Sequence, residues 1–209
     1  GKKILAPVRD WGMTRDEEIA YAKEKDIPIS TDCKKYSIDA SLWGRAIECG
    51  LLEDAAAEPP EDAYTWTVTP ENAPDTAEYL TIQFEAGVPI AINGEKQKPI
   101  ELIESLNQIA GKHGVGRIDH IEDRLVGIKS REVYECPAAV ITLEAHKDLE
   151  KMVMTRHEVL FKNKIDDEWV FLAYAGLWMD PLKEDLDAFI NKSQENVTCK
   201  VKLNIYKGG

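Results

Sequence analysis

The sequence predicts an α+β fold, an antiparallel sheet with helices packed against it, and three observations support this. Two apolar alternations flank a short turn signal, helical stripes lie apart from them, and the chain closes on a further alternating stretch. With 209 residues the chain can bury a real core as one large domain or two small ones.

Taken in order, ILAPV (4–8) reads as a strand. Thr14 followed by Glu17 carries the capping-box spacing, so a helix starts there, with Ile19, Ala20 and Ala22 on its apolar face, and ends near Asp26. IPIS (27–30) reads as another short strand, so residues 1–30 are expected to be the closing strand, helix and strand of an α/β domain. Residues 31–209 are expected to form the second domain, with a hinge or linker where AAAEPPED (55–62) joins a proline pair to acidic residues. Leu80, Ile82 and Phe84 alternate with polar neighbours, 85–87 can turn, and Val88, Ile90 and Ile92 alternate again before the Asn93-Gly94 turn signal, which predicts a hairpin.

Pro99 suits a first helical turn, Ile100, Ile103, Leu106 and Ile109 share one face, and Gly111 reads as the stop. Ala138 to Leu143 reads as a strand. Leu149, Met152, Val153 and Leu160 recur at helical spacing, as do Leu182, Leu186, Phe189 and Ile190. Val197, Cys199, Val201, Leu203 and Ile205 alternate with polar residues, giving a last strand with one wet face.

Bulk properties exclude several classes. A net charge of −12 repels phosphate backbones, and no basic patch offsets it, so nucleic acid is not an expected partner. No apolar run approaches the roughly 18 residues of a membrane span. The four cysteines form no CxxC pair, which argues against structural zinc and fits reduced thiols in the cytoplasm.

Three constellations can carry chemistry. The stretch from His113 to Glu135 sets Arg117, Arg124, Lys129 and Arg131 among Asp119, Glu122, Asp123, Glu132 and Glu135 beside three glycines, and reads either as a site or as a salt-bridged surface loop. Its GKHGVGR lacks the lysine and hydroxyl of a Walker loop, and His113 and His120 lack metal-ligand spacing, so no metal site is expected. In YSIDASLWGRAIE (36–48), Ser37 reads first as the cap of a following helix, which leaves Arg45 unexplained. DEWVFLAYAGLW (167–178) reads as packing. No nucleophile and base pair stands at a recognisable spacing.

APVRDW (6–11), YSIDASLWGRAIE, AGKHGVGRIDHIEDRLVGIKSREVYE (110–135) and SQENVTCKVKLNIYKG (193–208) together closely resemble the argininosuccinate synthase family, across nearly the whole chain. The resemblance implies that residues 31–209 are the family's carboxy-terminal catalytic and multimerisation domain, and residues 1–30 the close of its α/β nucleotide-binding domain. It implies a cytoplasmic homotetrameric ligase of arginine biosynthesis and the urea cycle, joining citrulline to aspartate with ATP, magnesium being the nucleotide's counter-ion. The reaction passes through a citrullyl adenylate and releases AMP and pyrophosphate. ATP and most of the aspartate contacts would belong to an amino-terminal domain whose phosphate loop is not among these residues, so activity from this piece alone is not expected. A non-catalytic oligomerisation and amino-acid-binding module is the alternative, and a hydrolase using Glu122 and Asp119 a weaker third.

By resemblance, Ser37, Glu122 and Tyr134 match citrulline-binding positions. An ionised Glu122 suits the ammonium, and hydroxyls add directional bonds. Ala46 stands where the family commonly has a serine that also touches citrulline, and Asp123 where asparagine is usual. Arg117, Arg124 and Arg131 are candidates for neutralising phosphate or, for at least two of them, for orienting Glu122 and Asp119.

Overall fold

A computed structural model describes residues 2–29 and 36–209. Its two sheets are antiparallel and its helices pack beside them, the α+β class read from the sequence. The first sheet runs β1 (Ser37–Ala40), β2 (Arg45–Glu48), β7 (Lys129–Glu135), β6 (Arg117–Asp123) in spatial order. The second runs β5 (Glu95–Lys96), β4 (Val88–Ile92), β3 (Glu78–Glu85), β8 (Cys199–Ile205).

The second sheet holds the main core. Leu80, Ile82 and Phe84 of β3 are fully buried against Leu102 and Leu106 of α3 (Pro99–Lys112) and Ala138, Ile141, Ala145 and Leu149 of α4 (Pro137–Val153). The turn expected at 85–87 forms as the two residues Ala86-Gly87, Glu85 still pairing in the strand, and the Asn93-Gly94 turn forms as expected, both with positive φ at each central residue, the geometry that matches strand twist. Beyond α4 lie α5 (Arg156–Tyr174) and α6 (Pro181–Gln194), joined to α4 by a buried cluster in which Lys162 meets Glu150 at 3.0 Å and Gln194 donates to Glu150 at 2.7 Å.

Several expectations need correction. ILAPV forms no strand. Pro7 instead opens a short helix α1 (Pro7–Trp11), because its fixed φ suits a first turn, and Gly12 closes it at φ 64°. Residues 27–29 form no strand either, and Ser30 lies outside the described residues. Between them the Thr14–Glu17 pair caps α2 (Arg15–Glu24) as expected. Ala138 to Leu143 is helix, not strand: Pro137 starts α4, and burial at Ala138, Ile141, Thr142 and Ala145 follows the helical period that a short apolar run conceals. Ser37 caps no helix, since it begins β1. Gly111 stops nothing, since α3 runs on to Lys112; a Cβ at 111 would collide with the Trp66 carbonyl oxygen, and its own carbonyl accepts from Val68 at 3.2 Å.

The charged segment after α3 is the β6–β7 hairpin. Its turn is closed by Arg124 N–H to the Ile128 carbonyl at 3.0 Å, with Gly127 at φ 79°. On its underside the first sheet buries Ile47 and Val133 against Leu52, Ala63 and Tyr36. The 55–62 stretch carries only the start of a 3-10 turn (Glu61–Ala63) and lies against this underside, where Arg131 donates to the carbonyls of Asp54 at 2.8 Å and Ala57 at 2.6 Å.

Candidate functional site

Strand register sorts the charged residues into two sets. Residues paired across antiparallel strands share a face, as do residues two apart along a strand. Ser37 pairs with Glu48, Asp39 with Ala46, Ala46 with Tyr134, His120 with Glu132 and Glu122 with Ser130. Ser37, Ala46, Glu122 and Tyr134, from four strands, therefore share the upper face with Asp39, Glu48 and Glu132. Arg45, Arg117, Asp119, Arg131, Val133 and Glu135 take the lower face.

The upper face borders a cleft of about 540 Å³ whose lining includes Asp39, Ala46, Glu48, Glu122, Glu132 and Arg124, with Tyr174 arriving from the end of α5. Arg124 leaves the hairpin turn and reaches back over the face. Its Nη2 donates to Glu48 Oε2 and Glu132 Oε1, both at 2.9 Å, and its Nε to Ser130 Oγ at 2.9 Å and Glu122 Oε2 at 3.2 Å. Tyr174 donates its hydroxyl to Glu122 Oε1 at 2.7 Å, and Tyr134 donates its own to Glu132 Oε2. His120 stacks on the Tyr134 ring, centroids 5.3 Å apart and planes 13° from parallel.

Electrostatics follow from this wiring. Burial alone would push the Glu132 carboxyl up, but the hydrogen bonds it accepts from Tyr134 and Arg124 help hold the group below the usual carboxylate range. Burial, and next the bond to Glu132, push the Tyr134 phenol well above its ordinary value, so it stays protonated and donating. The hydrogen bond to Glu132 leads in raising Arg124. Three carboxylates thus surround one guanidinium and a fourth, Asp39, lines the same cleft, and the excess negative charge draws a small cation such as an ammonium group.

The lower face does different work. Arg131 grips Asp119 with two bonds, at 2.9 and 2.7 Å, and Arg117 grips Glu61 at 2.7 and 3.1 Å while lying 3.8 Å over the Tyr64 ring. Glu135 is wholly buried and accepts from Arg45 at 2.8 Å, from the amides of Trp66 and Thr67 at 2.8 and 2.9 Å, and from the Thr67 hydroxyl at 2.8 Å. Arg117, Asp119 and Arg131 therefore fasten residues 54–67 to the sheet and do not enter the cleft. Asp123, also on the lower side, pairs with Lys129 at 3.0 Å.

Glu48, Tyr174 and Asp39 were not anticipated as site residues, and Glu132 was seen only as one charge among many. The available signal was the two-residue period of KSREVYE, which places Ser130, Glu132 and Tyr134 on one side and Arg131, Val133 and Glu135 on the other. Among the described residues no group of three or more His, Cys, Asp or Glu is placed to hold a metal ion, and no helix is long and apolar enough to cross a membrane.

Residues 36–209 match the family model described as the Arginosuccinate synthase C-terminal domain. The chain is 58% identical over 206 residues to the argininosuccinate synthase of Methanocaldococcus jannaschii, covering 99% of this chain and 52% of that protein. It is 55% identical over 206 residues to that of Pyrococcus furiosus, covering 99% and 50%. The chain thus spans about half the length of the curated relatives it matches. With the match running through every strand of the cleft, the chain belongs to the argininosuccinate synthase family.

Proposed function

We propose that this chain supplies the citrulline-binding part of an argininosuccinate synthase, a ligase that joins citrulline to aspartate at the expense of ATP. The observation that supports the reading is that Ser37, Glu122 and Tyr134, from β1, β6 and β7, lie on one face of one sheet, the face that borders an acidic cleft lined by Glu122. Glu122, already oriented by Tyr174 and Arg124, takes the citrulline ammonium. Ser37 and Tyr134 add directional bonds beside it.

In this reading the ureido oxygen of citrulline attacks the α-phosphate of ATP, giving a citrullyl adenylate and pyrophosphate, and the aspartate amine then displaces AMP. ATP, with magnesium as its counter-ion, and the aspartate are held mainly by an amino-terminal nucleotide-binding domain, of which residues 1–30 are the close. The residues described here contribute by positioning, and no covalent enzyme intermediate is required. The complete enzyme is proposed to be a cytoplasmic homotetramer of arginine biosynthesis. Exposed apolar side chains at the α5–α6 turn, Trp178 and Met179 among them, support an assembly role for this domain.

The test is Glu122→Gln in a complete synthase carrying this sequence, which keeps the shape and removes the charge. Citrulline affinity measured by calorimetry falls about tenfold or more while ATP affinity stays nearly constant. Equal losses for both ligands contradict the assignment. A purely non-catalytic amino-acid-binding role is distinguished by citrulline binding without any citrulline-dependent release of pyrophosphate.

A further inference from the structure

We propose that Glu132 is a positioning residue for citrulline, a single carboxylate that sets the hydrogen-bonding polarity of Tyr134 and ties it to Glu122. The inference rests on the reading of this cleft as the citrulline site. Glu132 sits in the middle of the upper face, paired with His120 on one side, and is only 7% exposed. Its two oxygens are divided between two partners: Oε1 accepts from Arg124 at 2.9 Å, and Oε2 accepts from the Tyr134 hydroxyl. Arg124 in turn holds Glu122 Oε2 at 3.2 Å. Tyr134, Glu132, Arg124 and Glu122 thus form one continuous chain of bonds, and neither ligand-facing end moves independently of the other.

Polarity follows from proton bookkeeping. A phenol has one proton to give, and Tyr134 gives it to Glu132. What remains on the phenol oxygen is a lone pair, so in this proposal Tyr134 acts on the ligand as an acceptor. It therefore selects N–H groups, which the ureido and ammonium ends of citrulline both offer. His120, stacked against the ring, fixes the plane in which that lone pair points. Glu132 needs no contact with the ligand to do this, because both its oxygens are already engaged.

The decisive variant is Glu132→Gln in a complete synthase carrying this sequence. An amide can turn its N–H toward Tyr134, which frees the phenolic proton and converts the acceptor into a donor. The citrulline KM rises about ten- to a hundredfold, the span for one lost hydrogen bond to a charged group, while the ATP KM stays within about twofold. Placed in a Tyr134→Phe background, the same change adds much less than it does alone, since the two side chains act as a unit. Glu132→Asp, which keeps the charge and withdraws it by one methylene, lies between wild type and Gln, and it replaces Gln in the cycle if the Gln protein does not fold.

Three results overturn the proposal. An unchanged citrulline KM in Glu132→Gln beside a raised one in Tyr134→Phe removes Glu132 while leaving the site reading intact. Full additivity in the double variant removes the coupling. Unchanged citrulline KM in both Tyr134→Phe and Glu122→Gln removes the site reading itself, and this inference with it.

Discussion

Arg45 and Glu135 face each other across the β2–β7 pair, 2.8 Å apart, in a place where the carboxylate has no solvent exposure and the guanidinium side chain has 10%. The same carboxylate also gathers the backbone amides of residues 65–67, so one side chain closes the lower face of the sheet.

Removing its charge should therefore be costly. Glu135→Gln leaves Arg45 buried without a counter-charge, and breaking such a pair costs about 3 to 5 kcal/mol. Urea unfolding measures it, and a loss below about 1 kcal/mol would show that the amide satisfies the same donors.

Gly111 in α3 offers a case where two effects of opposite sign compete. Alanine is favoured over glycine in a helix by about 1 kcal/mol. The added Cβ, however, meets the Trp66 carbonyl oxygen, a backbone atom that cannot swing aside, and overpacking of this kind costs about 1 to 3 kcal/mol. Gly111→Ala is accordingly expected to lower thermal stability, and a raised melting temperature would mean that the 65–68 segment shifts freely.

Ala46 lines the cleft, paired with Asp39 on one side and Tyr134 on the other. Its methyl offers no hydrogen bond. Ala46→Ser in a complete synthase is expected to tighten citrulline by about 1.5 to 3 kcal/mol, the value of a bond to a charged group. Calorimetry giving unchanged or weaker binding refutes this.

Asp119 makes a prediction about pH. Its carboxyl is held below the usual range, chiefly by the hydrogen bonds from Arg131. A carboxylate lowered in the folded state stabilises fully above its unfolded value near pH 3.9, and that contribution is lost as the pH falls through the lower folded value. Wild type and Asp119→Asn should differ in stability near neutrality and converge in acid, while citrulline affinity stays equal. A citrulline defect in Asp119→Asn would place the residue in the site after all.

Much of the second sheet was legible because one face is apolar and the other wet. Leu80, Ile82 and Phe84, and later Val197 to Ile205, alternate cleanly, and the Asn93-Gly94 pair marks its turn. The β6–β7 hairpin was not legible as strands because both of its faces are charged: Asp119 and Arg131 pair below while Glu122 and Glu132 lie above, so no apolar alternation exists to be read. Ala138 to Leu143 failed for the opposite reason, being apolar enough to suit either period.

Ser37, Glu122 and Tyr134 came from family resemblance, and nothing in their local spacing joins them. Their common face depends on which residue pairs with which across four strands, a long-range property that a linear pattern does not contain. Tyr174 is harder still, since it arrives from the end of a helix in a different layer.

The upper and lower faces of β7 are written on alternate letters of the same seven-residue word. Dropping Val133 alone would send the anchoring arginine into the cleft and turn the cleft's carboxylate toward the apolar underside. Substitutions along this strand are thus local events, whereas length changes are global ones, and the spacing of the word is more constrained than any single letter in it.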